Sequence, residues 1–361
     1  MSALAQVPAR EAAARVAVEC RDVWKIFGPA PEKALAALRE QGLSKAEVMQ
    51  RYDCVVGVAG VSFQVRSGEI FCVMGLSGSG KSTLVRHING LIQPTAGQIL
   101  IDGQDIAGKR GAELRRIRAE KIGMVFQNFA LLPHRTVIEN VAFGLELREV
   151  PAAQRYARAQ EMLKLVDLAD WGHRWPHELS GGMQQRVGLA RALAGDPDIL
   201  LMDEPFGALD PLIRRQLQDE FLQLTRAMRK TTIFITHDLD EAMRFGSRIA
   251  IMRDGKLIQV GSAREIVRNP ADDYVAAFVG GISPIEVLRA GDVMVPLSAD
   301  RVAALQAACP RVGEDTDLGD LAAMLADGTA AALVVDAAGS AIGLVDKDTL
   351  LRNVQARSRH G

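Results

Sequence analysis

A glycine-rich octapeptide, GLSGSGKS at residues 75–82, has the spacing of a phosphate-binding loop. It follows an apolar run, EIFCVM, and precedes a helical run, TLVRHINGL, so it is expected to join a buried strand to a helix. Backbone N–H groups in such a loop turn inward, and the helix N-terminus adds positive potential, so that together they hold phosphate. Lys81 is expected to reach the β- and γ-phosphates, and Ser82 to place its hydroxyl on Mg²⁺.

Two adjacent carboxylates, Asp203 and Glu204, follow the apolar run ILLM at residues 199–202. Open α/β sheets bind ligands at the carboxyl ends of their strands, so both side chains are expected at such a site. We expect Asp203 to hold Mg²⁺ through water and Glu204 to accept a proton from the attacking water or to orient it. A strand that ends in Asp-Glu is more often the start of a solvated loop, but the upstream phosphate loop reverses that preference.

The composition is that of an ordinary globular protein: 361 residues, 48% hydrophobic and 24% charged, with a net charge of -1. This charge creates no overall field that would attract nucleic acid or anionic lipid. The four cysteines are scattered without metal-ligand spacing and are expected to be reduced thiols. The alanine-rich start is broken by charges, and no apolar run reaches about eighteen residues, so we expect a cytosolic chain with neither signal peptide nor membrane anchor.

The elements that must position these residues follow an α/β pattern. Between residues 75 and 261, apolar strand-like runs alternate with amphipathic helices, which predicts a mostly parallel sheet covered by helices. Upstream, residues 29–56 or so are predicted as an insert of two short helices, the second opened by a capping box at Ser44 and Glu47. Beyond residue 283 the sequence becomes rich in alanine and valine with interspersed aspartates. We therefore place one domain at residues 1–281 and a smaller α+β domain at 282–361.

The segment LSGGMQQR, residues 179–186, resembles the signature of ABC ATPases, and the chain is identified as a member of that family. The likeness extends over residues 18–261. Gln127, in MVFQN, matches the family's Q-loop, residues 208–210 match its D-loop, and His237, in FITHD, matches its switch histidine. The resemblance implies an ABC-type P-loop ATPase domain, with a RecA-like core and a helical subdomain, that uses ATP and Mg²⁺.

The signature also implies a second phosphate contact. Ser180, Gly181 and Gly182 precede a helical run, so they offer a hydroxyl and N–H donors at a helix N-terminus. In the family's geometry one chain cannot bring both this segment and its own phosphate loop to one γ-phosphate, so the resemblance implies a head-to-tail homodimer that sandwiches two ATP molecules. The expected catalytic residues are Lys81, Gln127, Glu204 and His237; the metal ligands are Ser82, Gln127 and Asp203; the ATP-binding residues are Phe27, Gly75, Leu76, Ser77, Gly78, Ser79, Gly80, Lys81, Ser82, Thr83, Ser180, Gly181, Gly182, Gln184 and Asp210.

The adenine base is stacked on an aromatic residue in this family, well before the phosphate loop. Phe27, in WKIFG, stands at the matching place, and Trp24 is the alternative. A core aromatic is the competing interpretation for either residue. The sequence alone favours Phe27 without excluding the others.

Several segments narrow the resemblance to the ATPases of quaternary-ammonium importers. They are WKIFG, QGLSKAEV, MGLSGSGKST, DPLIR and HDLDEAMR, within roughly the first 280 residues. This implies work with membrane permease subunits, and indirectly a substrate-binding protein, in the uptake of glycine betaine, proline betaine, choline or proline. The implied location is the cytoplasmic face of the cell membrane. ATPase subunits do not normally contact the cargo, so the substrate rests on kinship alone.

Residues 292–361 resemble a CBS domain in part. A helix is predicted at residues 317–325, strands at 331–336 and 341–345, and a helix from about 347. One repeat buries little surface alone, so we expect the tails of two subunits to pair. The family's ribose-holding Ser/Thr-x-x-Asp stands here as DKDT at residues 346–349, and its first acidic group disfavours a bound nucleotide.

Three other functions compete with transport. The basic stretch at residues 109–121 could bind nucleic acid, but its acidic residues and helical spacing favour a solvated amphipathic helix. A non-transport ABC ATPase of DNA repair would carry a long coiled coil, and one of the ribosome would carry a second ATPase domain. A binding module without hydrolysis would not need Lys81, Glu204 and His237.

Residues 128–143 are expected to receive a permease helix, with core packing as the alternative for Phe129, Leu131 and Leu132.

Overall fold

The computed structural model describes residues 15–207, 209–297 and 309–355. The chain separates into two compact units, residues 1–237 with 252–257 and residues 238–251 with 258–361. The domain division that the sequence suggests at residue 281 stays a prediction. Within the described ranges, no helix is both long enough and apolar enough to cross a lipid bilayer.

The first unit begins with an antiparallel sheet. Its strands are β1 (Val16–Phe27), β2 (Val55–Arg66), β4 (Ala96–Ile101) and β5 (Gln104–Asp105), in the order β2-β1-β4-β5. Between β1 and β2 lie α1 (Pro31–Glu40) and α2 (Lys45–Tyr52), which we call the insert. The predicted capping box is present, with Ser44 as the N-cap of α2 and Glu47 returning its hydrogen bond. The insert packs its apolar face on Ile26 and Val56 of this sheet.

A parallel sheet forms the centre of the same unit. Its strands β3 (Ile70–Met74), β6 (Ile122–Val125), β7 (Ile199–Asp203) and β8 (Thr231–Ile235) run parallel in the order β3-β8-β7-β6. Strands β3 and β8 are buried along their whole length, which explains the unbroken apolar sequence of β3 and the apolar run that ends β8. The helix α3 (Lys81–Ile88) follows β3, and α8 (Pro211–Met228) follows β7. The carboxyl ends of β3, β7 and β8 therefore lie at one edge of the sheet.

Helices α4 (Gly111–Lys121), α5 (Val137–Leu147), α6 (Ala152–Leu165) and α7 (Gly181–Ala194) complete the first unit. Short 3₁₀ turns at Ala169–Trp171 and Pro176–Glu178 precede α7. Helices α5, α6 and α7 share one apolar core. The basic stretch forms α4, which buries only Leu114 and Ile117, so the predicted solvated amphipathic helix is confirmed.

The second unit contains α9 (Leu239–Phe245), α10 (Ala263–Arg268), α11 (Asp273–Phe278), α12 (Pro284–Val287) and α13 (Ala290–Val293). A four-stranded sheet has the order β11-β14-β13-β12, with β11 (Val295–Pro296), β12 (Arg311–Gly313), β13 (Ala331–Val335) and β14 (Ala341–Asp346). Helices α14 (Leu318–Ala326) and α15 (Lys347–Gln355) accompany it, so the helices and strands predicted for the tail are confirmed within one or two residues. Strands β9 (Arg248–Arg253) and β10 (Lys256–Gly261) are each divided between the units.

Asp292 joins α10 to the tail inside the second unit. Its side chain is 5% exposed and accepts hydrogen bonds from the guanidinium groups of Arg264, at 3.0 Å, and Arg268, at 3.3 Å. Burial alone would raise the pKa of Asp292, but the bonds from Arg264 and from the backbone N–H of Arg289 hold that pKa below its ordinary value of 3.8. The tail is therefore attached to α10 by these hydrogen bonds.

Candidate nucleotide site

Residues 75–82, here called the P-loop, connect β3 to α3. Gly75, Gly78 and Gly80 all have a positive φ, at 149°, 79° and 100°. A Cβ atom would lie 2.2 Å from the carbonyl oxygen of Met252 at Gly75, and 2.4 Å from that of Gly57 at Gly80. Close backbone packing as well as conformation therefore requires glycine at these two positions.

Lys81 is the first residue of α3, and its ammonium is folded back onto the loop. It donates hydrogen bonds to the carbonyl oxygens of Gly75, at 2.7 Å, and Leu76, at 3.1 Å. The residue is 6% exposed. Burial lowers the pKa of Lys81, whereas the carboxylates of Glu204 and Asp203 oppose that effect. The charge is thus held at the start of the helix, where a phosphate would lie.

Ser82 and Asp203 form a pair of oxygen donors between α3 and β7. The Ser82 hydroxyl donates to Oδ1 of Asp203 at 3.1 Å. Burial raises the pKa of Asp203, the charge of Glu204 raises it further, and the Ser82 hydrogen bond lowers it. A hydroxyl and a carboxylate are hard oxygen ligands, which Mg²⁺ prefers when phosphates supply the others. The residues present therefore fit the predicted metal.

Three predicted catalytic residues meet at one carboxylate oxygen. Oε2 of Glu204 accepts a hydrogen bond from the amide of Gln127 at 3.2 Å and lies 3.0 Å from Nδ1 of His237. Gln127 follows β6, Glu204 follows β7 and His237 follows β8, so three strand ends converge. The side chain of Glu204 is 18% exposed, and that of His237 is 62% exposed.

The backbone at Glu204 is unusual. Its φ is +46°, in the left-handed region that glutamate seldom adopts, and its N–H donates to the carbonyl of Ile235 at 3.0 Å. The chain therefore turns sharply as soon as β7 ends. Strained residues of this kind are concentrated at functional sites, because the surrounding structure must hold them in place.

Phe27 and Trp24 lie in different surroundings. Phe27 is 40% exposed, and a Cβ built at Gly57 would lie 2.8 Å from its ring and 3.6 Å from Cγ2 of Thr83, so the ring is next to the first turn of α3. The ammonium of Lys25 lies 5.1 Å from the ring centroid. Trp24 instead packs against the insert and donates its indole N–H to a carboxylate. This placement favours Phe27 as the surface for the adenine ring.

The signature residues lie at the start of α7. Ser180 is the N-cap, and its hydroxyl accepts a hydrogen bond from the N–H of Met183 at 3.3 Å. Gly181 and Gly182 form the first turn, and the amide of Gln184 donates to the carbonyl of Leu179 at 3.1 Å. Within the described part of the chain, no hydrogen bond joins these residues to the P-loop. The structure of one chain thus does not bring the two predicted phosphate sites together.

The D-loop precedes α8. Asp210 accepts a hydrogen bond from the N–H of Ile213 at 3.1 Å, which caps the first turn of that helix. Ala208 lies outside the described residues. A methyl group of Ile213 would be 2.7 Å from a Cβ at Gly182, so the D-loop helix and the signature are neighbours.

Known proteins resemble this chain in sequence. The family model described as ABC transporter matches residues 58–207. The glycine betaine/proline betaine transport system ATP-binding protein ProV of Escherichia coli is 53% identical over 278 residues, which are 77% of this chain and 69% of ProV. This chain belongs to the ABC transporter family of ATP-binding proteins. The glycine betaine transport ATP-binding protein OpuAA of Bacillus subtilis is also 53% identical, over 279 residues that cover 77% of this ABC ATPase and 66% of OpuAA.

A solved structure resembles the ABC ATPase as well. The ATP-binding cassette MJ0796, in a dimeric post-hydrolysis state with ADP and phosphate, has a TM-score of 0.58 and 33% identity, and the match covers 68% of this chain and 99% of that one. The family resemblance, the ABC cassette fold and ATP hydrolysis as the activity are therefore confirmed. The CBS-like tail and the roles of individual residues remain predictions.

One feature of the ABC ATPase site could not be read from its motifs. Phe129 and Ala130, just after Gln127, have φ values of 56° and 49°. The guanidinium of Arg191 in α7 donates to both of their carbonyl oxygens, at 2.9 Å and 2.6 Å. Arg191 thus holds the chain that follows the Q-loop. Neither a glycine nor a turn motif marks this bend in the sequence.

The predicted permease segment is only partly exposed. Phe129, Leu131 and Leu132 are all half-buried, and Leu131 packs against the core of α5, α6 and α7, as the alternative of core packing requires. A groove of about 960 Å³ lies nearby, and Leu147 on its wall is 67% exposed. Other residues on the wall of this groove are Arg118, Phe126, Phe143, Gly144, Arg191 and Pro197.

Asp203→Asn is expected to raise the melting temperature of the nucleotide-free ABC ATPase at pH 7. Burial raises the folded-state pKa of Asp203 above 3.8, so its ionised form opposes folding, whereas asparagine can still accept the Ser82 hydrogen bond. The gain should be present above the folded-state pKa and should vanish as pH falls below 3.8. Thermal unfolding across this pH range measures it.

The control for this measurement is Asp53→Asn, an exposed position whose left-handed backbone asparagine tolerates. Its melting temperature should match that of the wild type. An Asp203→Asn variant that melts below the wild type at pH 7 would contradict the expected cost of this carboxylate.

Proposed function

We propose that this ABC ATPase hydrolyses MgATP in a head-to-tail homodimer and thereby drives an importer of small quaternary ammonium compounds. The observation that carries the proposal is the convergence of Gln127 and His237 on one oxygen of Glu204, beside the pair formed by Ser82 and Asp203. This arrangement supplies a base, its two partners and oxygen ligands at one edge of the sheet. A binding module without hydrolysis would need neither of these two partners of Glu204.

The proposed chemistry assigns one task to each residue. Lys81 and the P-loop N–H groups hold the phosphates, because both lie at the N-terminus of α3. Ser82 and Asp203 would hold Mg²⁺, which when bound would offset negative charge on the phosphates. Glu204 orients the attacking water and accepts its proton. Gln127 and His237 keep the Glu204 carboxylate in position through their contacts with Oε2, and His237 is exposed enough to reach a γ-phosphate.

The homodimer supplies the second phosphate contact. Ser180 and the N–H groups of Gly181 and Gly182 begin an α-helix of 14 residues, so they form an anion site with their own positive potential. Since this site and the P-loop start different helices of one chain, we assign the signature of one subunit to the nucleotide on its partner. The cassette MJ0796 is dimeric, which supports a dimer for this chain.

The groove between α4, α5 and α7 is the proposed contact for a membrane permease. It is large enough for a short helix, and it offers the exposed apolar side chain of Leu147 beside the arginines of α4. Arg191 lines this groove and also holds the backbone after Gln127. Pressure on the groove could therefore reach Glu204 through Gln127. Through this contact the ATPase would lie at the cytoplasmic face of the membrane.

The cargo is proposed from the relatives. ProV is named for glycine betaine and proline betaine, and OpuAA is named for glycine betaine. Each is 53% identical to this chain over the aligned residues. Both cargoes are small quaternary ammonium compounds. A non-transport role in DNA repair or translation has no specific support in the fold, where α4, the basic helix, is amphipathic and solvated.

The tail is proposed to be a single CBS-like repeat that pairs with the tail of the partner subunit. The order β12, α14, β13, β14, α15 supports the likeness, with β12 parallel and β14 antiparallel to β13. The exposed apolar side chains of Val295 and Leu351 belong to this unit. Pairing would remove such surfaces from water.

Glu204→Gln should bind ATP but hydrolyse it about 10²–10⁴ times more slowly, because an amide cannot accept the proton. The glutamine side chain can still contact Gln127 and His237, so the fold of the site should remain. Phosphate release and ATP binding by the purified protein measure the two effects. The exposed Glu40→Gln serves as the control, and turnover near the wild-type rate in Glu204→Gln would exclude Glu204 as the base.

Deletion of residues 284–361 should leave ATP hydrolysis within about twofold of the full chain while weakening dimerisation without nucleotide. Since the deletion also removes Asp292, the partner of Arg264, the full-length Leu351→Glu variant provides a milder test. Sedimentation velocity without ATP measures both, with Leu147→Glu in the first unit as control. Unchanged dimerisation in both tail variants would show that the tails do not pair.

A further inference from the structure

Lys45 connects the insert to the turn that supports the P-loop. Its ammonium donates a hydrogen bond to the carbonyl oxygen of Asp254, and the carbonyl oxygen of Val56 lies 3.5 Å away. Lys45 is the first residue of α2, and the capping box of Ser44 and Glu47 fixes where that helix begins. The starting point of the side chain is therefore set by the fold of the insert itself.

The peptide group between Asp254 and Gly255 is hydrogen-bonded at both ends. Its carbonyl accepts from Lys45, and its N–H donates to the carbonyl oxygen of Ser79, in the P-loop, at 2.9 Å. The carbonyl of Ser79 shares a peptide group with the N–H of Gly80, which is the N-cap of α3. A positive charge in the insert is thus linked to the N–H at the N-cap of α3 through two hydrogen bonds and two peptide groups.

Hydrogen bonds in such a series strengthen one another. A cation on the Asp254 carbonyl polarises that peptide group, so the Gly255 N–H becomes a stronger donor to Ser79. The same effect passes to the Gly80 N–H, which becomes a stronger donor to an anion. The series also fixes the direction in which each peptide group points, and this matters for a loop whose N–H groups must converge on one ligand.

Close packing keeps this series in place. A Cβ atom at Gly255 would lie 2.8 Å from the carbonyl oxygen of Gly57 and 3.2 Å from Nζ of Lys45. The N–H of Ala59 donates to the carbonyl oxygen of Gly255 at 2.8 Å. Gly255 has a φ of +71°, so the turn both needs glycine and has no room for a side chain. The turn at residues 254–255 is therefore wedged between β2 and the P-loop.

We propose that Lys45 is a positioning residue for nucleotide binding, whose ammonium orients and polarises the peptide groups at 254–255 and 79–80 so that the P-loop holds phosphate more tightly. Lys45 touches none of the reacting atoms and acts only through these peptide groups. The inference rests on the proposed role of the P-loop. It gives the insert a function, because Lys45 would couple the fold of the insert to the affinity for ATP. None of the sequence motifs assigns Lys45 to the site.

Lys45→Met, which keeps the length of the side chain and removes its charge, tests the inference in the full-length chain. It should raise the dissociation constant and the KM for MgATP about three- to tenfold, the usual net effect of one hydrogen bond, and leave kcat within about twofold. Lys45→Arg, which restores the charge and the donor, should return the KM close to that of the wild type. Lys33→Met, at an exposed lysine of α1, is the matched control and should change neither constant.

The base of the nucleotide separates phosphate positioning from a general loosening of the insert. The series of hydrogen bonds ends at an N–H group that is proposed to donate to phosphate. Lys45→Met should therefore weaken the binding of MgATP and of MgGTP by the same factor. Loosening of the sheet around Phe27 would instead change the ratio of the two affinities. A changed ratio, failure of arginine to restore the KM, or wild-type affinity in Lys45→Met would each overturn the inference.

Lys81→Ala, measured alongside, distinguishes failure of this inference from failure of the proposed P-loop role. If Lys81→Ala loses MgATP binding while Lys45→Met binds like the wild type, only the inference about Lys45 is wrong. If Lys81→Ala also binds like the wild type, the P-loop role is wrong, and the inference falls with it.

Discussion

The parallel register of β3, β8 and β7 is the constraint on which the site depends. Because these strands pair in parallel, their carboxyl ends lie side by side, and each end carries one functional segment. β3 leads to the P-loop, β7 to Asp203 and Glu204, and β8 to His237. A shift of one residue in any strand would turn its terminal side chain to the opposite face. The sheet is buried so completely that such a shift would also expose its core.

This arrangement concentrates charge where burial opposes it. Lys81 is nearly buried, and Asp203 and Glu204 are close to it, so each group shifts the pKa of another. The fold accepts this cost at the edge of a sheet whose interior is otherwise apolar. The left-handed backbone of Glu204 adds a further cost. Both observations are expected of a site organised around a charged ligand. Bound phosphate would pair with the buried ammonium of Lys81, and a bound metal would offset the repulsion between the neighbouring carboxylates.

Much of the site could be predicted from sequence because its motifs are local. The P-loop needs only a few consecutive residues, so its spacing identifies it, whereas the capped start of α7 is recognised by its resemblance to the ABC signature. The predicted order of helices and strands in the tail is also correct, because its apolar periodicity is strong. The different surroundings of Trp24 and Phe27 could not be predicted, since they depend on which side of β1 faces the insert. Trp24 packs with Ile26 against the insert, whereas Phe27 lies beside α3.

Contacts between distant segments could not be predicted. Lys45 and Asp254 are 209 residues apart, and no spacing rule relates a lysine in an inserted helix to a turn after β9. The hydrogen bonds from Arg191 to the carbonyl oxygens of Phe129 and Ala130 depend on positive φ values at these two residues. Nothing in the local sequence indicates those φ values. Both contacts support backbone rather than touch a ligand. Positions of this kind are set by packing, and packing is the part of the fold that motifs do not encode.

Each nucleotide site is proposed to combine the P-loop of one subunit with the signature of its partner. Mixing Lys81→Ala chains with Ser180→Arg chains tests it most directly, by measuring ATP-dependent dimers in the mixture and in each variant alone. In a head-to-tail dimer, the mixed pair retains one site with an intact P-loop and an intact signature, so the mixture should form ATP-dependent heterodimers that neither variant forms with itself. If the mixture dimerises no more than the separate variants do, the composite site is contradicted.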